Sequence, residues 1–113
     1  MKKISMAISM HGDETETRTA YLIPELIHGY RWAVTRNDTY DPYVSFRKRR
    51  WSVSQLDSGL GIGTSHPTRR EAIQAFHERI KAYEDKYGYA HCVATIENGI
   101  AKRGPINNLE GGV

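Results

Sequence analysis

Residues 43–88 read YVSFRKRRWSVSQLDSGLGIGTSHPTRREAIQAFHERIKAYEDKYG, and this stretch decides the fold. Val44 and Phe46 alternate with polar neighbours as in a half-buried strand, but the next apolar positions, Trp51 and Val53, have the opposite parity. Either a one-residue β-bulge inside Arg47–Arg50 restores the face, or a tight turn there splits the segment into two strands. Both devices display four basic side chains from irregular backbone. Asp57, Ser58 and Gly59 have the composition of a three-residue hairpin loop, with Gly59 at the left-handed position and Leu60–Gly63 as the returning strand. Thr68 and Glu71 form a capping box at the start of a helix, a cap worth about 1 kcal/mol. Ile73, Phe76, Ile80, Tyr83 and Tyr87 recur at spacings of three and four, one apolar stripe that Gly88 ends, so the helix spans 68–87 and lays its stripe on the sheet.

Outward from this core, Ile4, Met6, Ile8 and Met10 alternate with small or polar residues and predict a strand over 3–10. His11–Thr19 is polar and reads as a loop or an exposed edge strand, which Tyr21–Ile23 extends as far as Pro24. Tyr30, Trp32 and Val34 predict a further strand, and Asn37–Pro42 has turn chemistry. On the C-terminal side, His91–Ile96 and Ile100–Lys102 flank Asn98-Gly99, the signature of a β-hairpin. The expected fold is α+β, an antiparallel sheet of four or five strands packed against one long amphipathic helix. Residues 1–103 form a single domain and 104–113 a loose C-terminal tail.

With 113 residues the chain has the length of one domain and can bury a core without crosslinks. Its single cysteine, Cys92, rules out an internal disulfide and suits a reducing compartment. No apolar run has the length of a signal peptide core or a membrane span, so the expected location is the cytoplasm. The net charge of +3 is unevenly placed: residues 44–70 carry six Lys/Arg against Asp57 alone, whereas residues 1–40 balance five against five. A partner would feel that local field.

Arg47, Lys48, Arg49 and Arg50, next to Trp51 and close to Tyr43, supply what a phosphate backbone requires, and a bare solvated strand edge is the plainer account of the same run. Trp51 itself, in phase with Val53, is expected in the core. Arg69 and Arg70 fall in the first helical turn, where the helix dipole disfavours cations unless an anion is near, so they join the candidate binding set. Gly59, Gly61 and Gly63 precede a helix but lack the spacing of a phosphate loop, and they read as hairpin glycines. His11, His28, His66, His77 and His91 lack the short spacing of metal ligands. His91 and Cys92, as strand neighbours, would point to opposite faces, and Cys92 reads as a small core residue. No pair of carboxylates stands out, so no catalytic role, metal or cofactor is expected.

The residues Trp51, Val53, Gly59, Leu60 and Gly61, followed by Thr68, Arg69, Arg70, Glu71 and Ala72, resemble the β-β-β-α domains of phages and plasmids. In particular they are similar to the N-terminal arm-binding domain of phage-type tyrosine integrases, where a Gly-rich turn leads to a Thr-Lys/Arg-Lys/Arg-Glu-Ala helix start. Ser65, His66 and Pro67 lengthen the junction relative to that pattern. A weaker likeness to double-stranded-RNA-binding domains exists at the same junction, without their Lys pair. The integrase resemblance implies a DNA-reading sheet, with Arg47, Lys48, Arg49 and Arg50 as groove and phosphate contacts. The expectation is therefore a phage- or mobile-element-type protein that contacts DNA or RNA through the phosphate backbone. The alternative is a protein-binding inhibitor of a host nucleic-acid-processing enzyme, similar in size to anti-CRISPR proteins.

Overall fold

Alternating apolar residues draw the first half of the chain into a sheet, and the computed structural model describes residues 1–9, 14–37, 50–103 and 107. Five strands form an antiparallel meander in sequence order: β1 (Lys3–Ser9), β2 (Thr15–Leu22), β3 (Trp32–Arg36), β4 (Trp51–Gln55) and β5 (Gly61–His66). Two helices follow, α1 (Arg69–Tyr87) and α2 (Tyr89–Arg103).

Of the polar segment before Tyr21, the described residues Thr15–Thr19 are strand rather than loop, paired with β1, and Ala20–Leu22 pair with β3 as well. Ser9 pairs with Thr15 and Lys3 with Tyr21, which makes β2 an interior strand between β1 and β3. Its β-branched threonines suit a pleated backbone, and Ala20 and Leu22 supply the buried positions. After Pro24 the chain turns tightly at Ile27–Tyr30, whose backbone groups exchange bonds of 3.0 and 3.1 Å. His28 and Gly29 both hold positive φ, at 56° and 80°, as the hairpin-type turn requires.

The β4–β5 connection is one residue longer than expected. The Gln55 amide donates to the Leu60 carbonyl at 2.9 Å, which leaves Leu56–Gly59 as the loop, with Gly59 at φ 69°. Gln55 organises it: its Oε1 accepts from the Ser58 amide and hydroxyl, both at 2.8 Å, and its Nε2 donates to Asp57 at 2.7 Å. Leu56 is thereby turned fully inward. The pairing of β4 with β5 also shifts register, because the two-residue step Trp51–Val53 faces the four-residue step Ile62–His66. The bulge or turn expected inside Arg47–Arg50, and the strand from Tyr43 to Phe46, lie outside the described residues.

The pleat divides the core in two. One face carries Met6, Ile8, Ala20, Leu22 and Ala33, joined by Leu56. The other carries Trp32, Val34 and Val53 against Ala72 and Phe76 of α1, with Ile73 and Ile80 packed alongside and the Trp32 and Phe76 rings 4.9 Å apart. The predicted helix thus covers the predicted aromatic face. Its N-terminus is capped as the sequence requires, the Thr68 hydroxyl accepting from the Glu71 amide at 3.1 Å, and Gly88 at φ 87° ends it.

The expected C-terminal hairpin is overturned: residues 89–103 form α2, so the described residues hold two helices rather than one. Cys92, Ile96 and Gly99 follow a helical spacing of four and three, and Cys92 is buried on that stripe. Asn98-Gly99 is no turn. A Cβ on Gly99 would lie 2.9 Å from Leu60 Cδ1, the end of a flexible side chain, so the helix passes close to the residue that follows the β4–β5 loop. His91 and Cys92 are consequently about 100° apart around a helix instead of on opposite faces of a strand. Within the expected tail, Asn107 is described and buried. Its side-chain amide closes the free edge of β1, accepting from the Ala7 amide at 2.7 Å and donating to the Ala7 and Leu56 carbonyls at 2.8 Å.

Candidate phosphate-binding end of the sheet

Strand register brings together basic residues that are far apart in sequence. Arg36 at the end of β3 lies opposite Trp51 at the start of β4, and Trp51 lies opposite His66 at the end of β5. Arg50 precedes Trp51, and its carbonyl accepts from the Asn37 amide at 2.7 Å, which closes the base of the β3–β4 connection. Three residues after His66, α1 opens with Arg69 and Arg70, both exposed. Lys3 on β1, also exposed, lies opposite Tyr21. One end of the sheet therefore gathers Arg36, Arg50, His66, Arg69 and Arg70, with Lys3 flanking.

Arg69 has a place of its own in this cluster. Its guanidinium carbon sits 4.1 Å from the centroid of the Tyr21 ring and 5.7 Å from that of Trp51, and the two rings meet edge to face at 5.9 Å. A cation in the first turn of a helix costs about 0.3–1 kcal/mol, and an exposed cation–π contact returns about 0.5–1 kcal/mol. The rings thus give an internal account of a cation that the sequence alone referred to an external anion. They are also occupied: the faces that would stack on bases carry Arg69. Arg70 has no such seat, and with Met1, Arg69 and Ile73 it borders an open hollow of 450 Å³.

The opposite face of the same end is closed by hydrogen bonds. Asn37 Oδ1 accepts from the Ser52 hydroxyl at 3.2 Å and from Arg18 at 3.3 Å, and its Nδ2 donates to Ser65 at 2.9 Å. Arg18, only 9% exposed, also donates to Glu16 at 3.0 Å and is withdrawn from the surface. The buried Thr35 hydroxyl bonds the Ser52 carbonyl at 3.1 Å and lies 3.3 Å from the Ser54 hydroxyl. These contacts fix the strand ends that position Arg36 and Arg50.

Of the sequence-predicted site residues, Arg50, Arg69 and Arg70 fall at this end, whereas Arg47, Lys48 and Arg49 lie outside the described residues. Arg36, His66 and Lys3 were missed, because only the pairing of β1 through β5 makes them neighbours. The histidines remain dispersed. His28 is enclosed, its Nε2 2.7 Å from Glu84 and its ring 4.7 Å from that of Tyr89, while His91 stacks on Tyr87 at 5.2 Å. Among the described residues no three His, Cys, Asp or Glu converge as metal ligands. Burial, aided by Glu84, pushes the Cys92 thiol above its ordinary pKa and keeps it protonated and unreactive. Burial and then Glu97 raise Tyr30 in the same way. No described helix is long and apolar enough to cross a membrane. No protein-family model, curated protein or solved structure matches this chain, so its reading rests on its own residues.

Proposed function

We propose that the protein binds nucleic acid through the phosphate backbone, using the basic end of the sheet. The observation that carries this reading is register: Arg36 at the end of β3, Arg50 just before β4 and Arg69 and Arg70 at the start of α1 fall at one end of the sheet, with Arg69 5.7 Å from the Trp51 ring, and Arg47–Arg49 adjoin Arg50 in the chain. A local excess of positive charge attracts a polyanion, and Arg70 at the helix start is exposed to meet one. Because Arg69 covers Tyr21 and Trp51, binding proceeds by charge neutralisation with little base stacking. The resemblance to integrase arm-binding domains favours DNA as the partner, and a phage or mobile-element setting accords with it.

The test is a salt titration of binding to random-sequence duplex. Four neutralised phosphates predict a log–log slope of about −3.6, and changing Arg50 and Arg70 to Gln makes the slope shallower by about 0.9 for each arginine that meets a phosphate. Absence of duplex binding at low salt sinks the proposal. A second reading, a protein-binding inhibitor of a host nucleic-acid-processing enzyme, is favoured by the helix junction, where Tyr87 and Tyr89 are 48% and 62% exposed. Exposed tyrosines are common anchors of protein interfaces. In that case Tyr89→Ala abolishes partner binding, and the affinity depends little on salt.

A further inference from the structure

α1, α2 and β5 leave a cleft of 340 Å³ between them, lined by Ile62, Arg79, Ile80, Tyr83, Cys92 and Ile96 among others. A second hollow of 220 Å³ shares Ile62, Thr95 and Ile96 with it and reaches Trp32, so one trough runs from Arg79 inward under α2. The helix is held at both ends. Gly99 lets it close on Leu60, and the Tyr83, Tyr87 and His91 rings meet at 4.7–5.8 Å beside Gly88. Between those two anchor points its inward side chains, Cys92 and Ile96, are too short to fill the space. Protein interiors pack to crystal density, and voids much larger than a water molecule are few. The larger space has the volume of about ten waters, yet its isoleucine walls offer water few hydrogen bonds.

Charge at the mouth selects the occupant. Arg79 is the one charged side chain among the described residues lining the cleft, and it is exposed. Its neighbours three and four residues away along α1 are Ala75, Phe76, Ala82 and Tyr83, so the helix supplies it no acidic partner. Glu84, the nearest carboxylate after it in sequence, is engaged by His28 at 2.7 Å. An apolar trough with one guanidinium at its entrance fits a molecule with a long apolar body and an anionic end. We propose that the protein binds a medium-chain carboxylate here, its tail along Ile62, Ile80 and Ile96 and its head on Arg79. This site is independent of the basic end, since Arg79 lies ten residues beyond Arg69, in the second half of α1.

The experiment titrates decanoate, below its micellar concentration, and decanol as its uncharged counterpart, below its solubility limit, into the full chain. Heat of binding and the NMR shifts of the isoleucine methyls are followed. Saturable decanoate binding that moves the Ile62, Ile80 and Ile96 methyls is expected, weakened about tenfold in Arg79→Gln, while decanol binds both forms alike. Thr95→Phe, at an exposed position on the rim, should abolish binding of both while leaving the fold intact by circular dichroism. The proposal is overturned if decanoate does not saturate, if other methyls move instead, or if Arg79→Gln binds it as tightly as the native chain.

Discussion

The two helices share one face of the sheet but hold it by different means. α1 buries Ala72 and Phe76 to within 2% exposure against Trp32 and Val53, whereas among the described side chains of α2 Cys92 alone is buried and Ile96 is half-buried. α1 is seated by an aromatic wedge, while α2 is hung from its two ends over a trough. On the two readings proposed above, one sheet face would serve two purposes. The firmly packed helix presents Arg69 and Arg70 beside the basic strand ends, and the loosely packed one leaves the cleft proposed to take a ligand.

Truncating the wedge is the most damaging way to break this comparison. Phe76→Ala removes a fully buried ring that packs on Trp32 and is expected to cost about 3–5 kcal/mol in urea denaturation. That is a large share of the roughly 5–15 kcal/mol typical of a domain. Ile96→Ala in α2, half-buried beside an existing void, is expected to cost about 1–2 kcal/mol, below the usual range for core isoleucines. Equal costs would mean that α2 is as firmly packed as α1.

The same contrast explains what the sequence made legible. α1 could be read because its signals are local: Thr68 and Gly88 mark its ends, and Ile73, Phe76 and Ile80 mark its stripe. α2 could not, because Asn98-Gly99 satisfies a turn pattern as well as a close-approach pattern. The residue that decides between them, Leu60, is 39 positions away. β2 was obscured by its polar composition, since its place is set by pairing with β1 and β3 rather than by its own hydrophobicity. In the candidate site, the basic character of Arg50, Arg69 and Arg70 was visible. The seat of Arg69 on Tyr21 and Trp51, and the company of Arg36 and His66, depend on strand register, which spacing along the chain does not encode.

Gly99 sharpens the point at smaller cost. Gly99→Leu forces α2 off Leu60 and is expected to destabilise by about 1–3 kcal/mol through overpacking. Gly99→Ala is a milder probe, because the obstructing atom is the end of a flexible side chain and alanine gains about 1 kcal/mol of helix propensity. A change near zero for Ala together with a clear destabilisation for Leu, measured by thermal or urea unfolding, identifies the glycine as a packing device. If Leu is tolerated as well as Ala, the approach of α2 to the β4–β5 loop contributes little.

The smallest expected effect concerns Cys92, which joins α2 to the trough. Burial, with Glu84 as the lesser cause, holds its thiol above the ordinary value of 9.0. The unfolded chain therefore releases this proton at lower pH than the folded one. The stabilisation is complete below about pH 9, where both states are protonated, and it declines progressively as pH rises through the unfolded and then the folded value. Tyr30, raised from 10.0 by burial and by Glu97, adds a decline of the same sign at higher pH. Unfolding free energies measured from about pH 7 to 10 should fall at the alkaline end, and Cys92→Ala should flatten the first part of that fall. An undiminished slope in Cys92→Ala would place the thiol in water, and α2 would then stand further from the sheet than its buried stripe indicates.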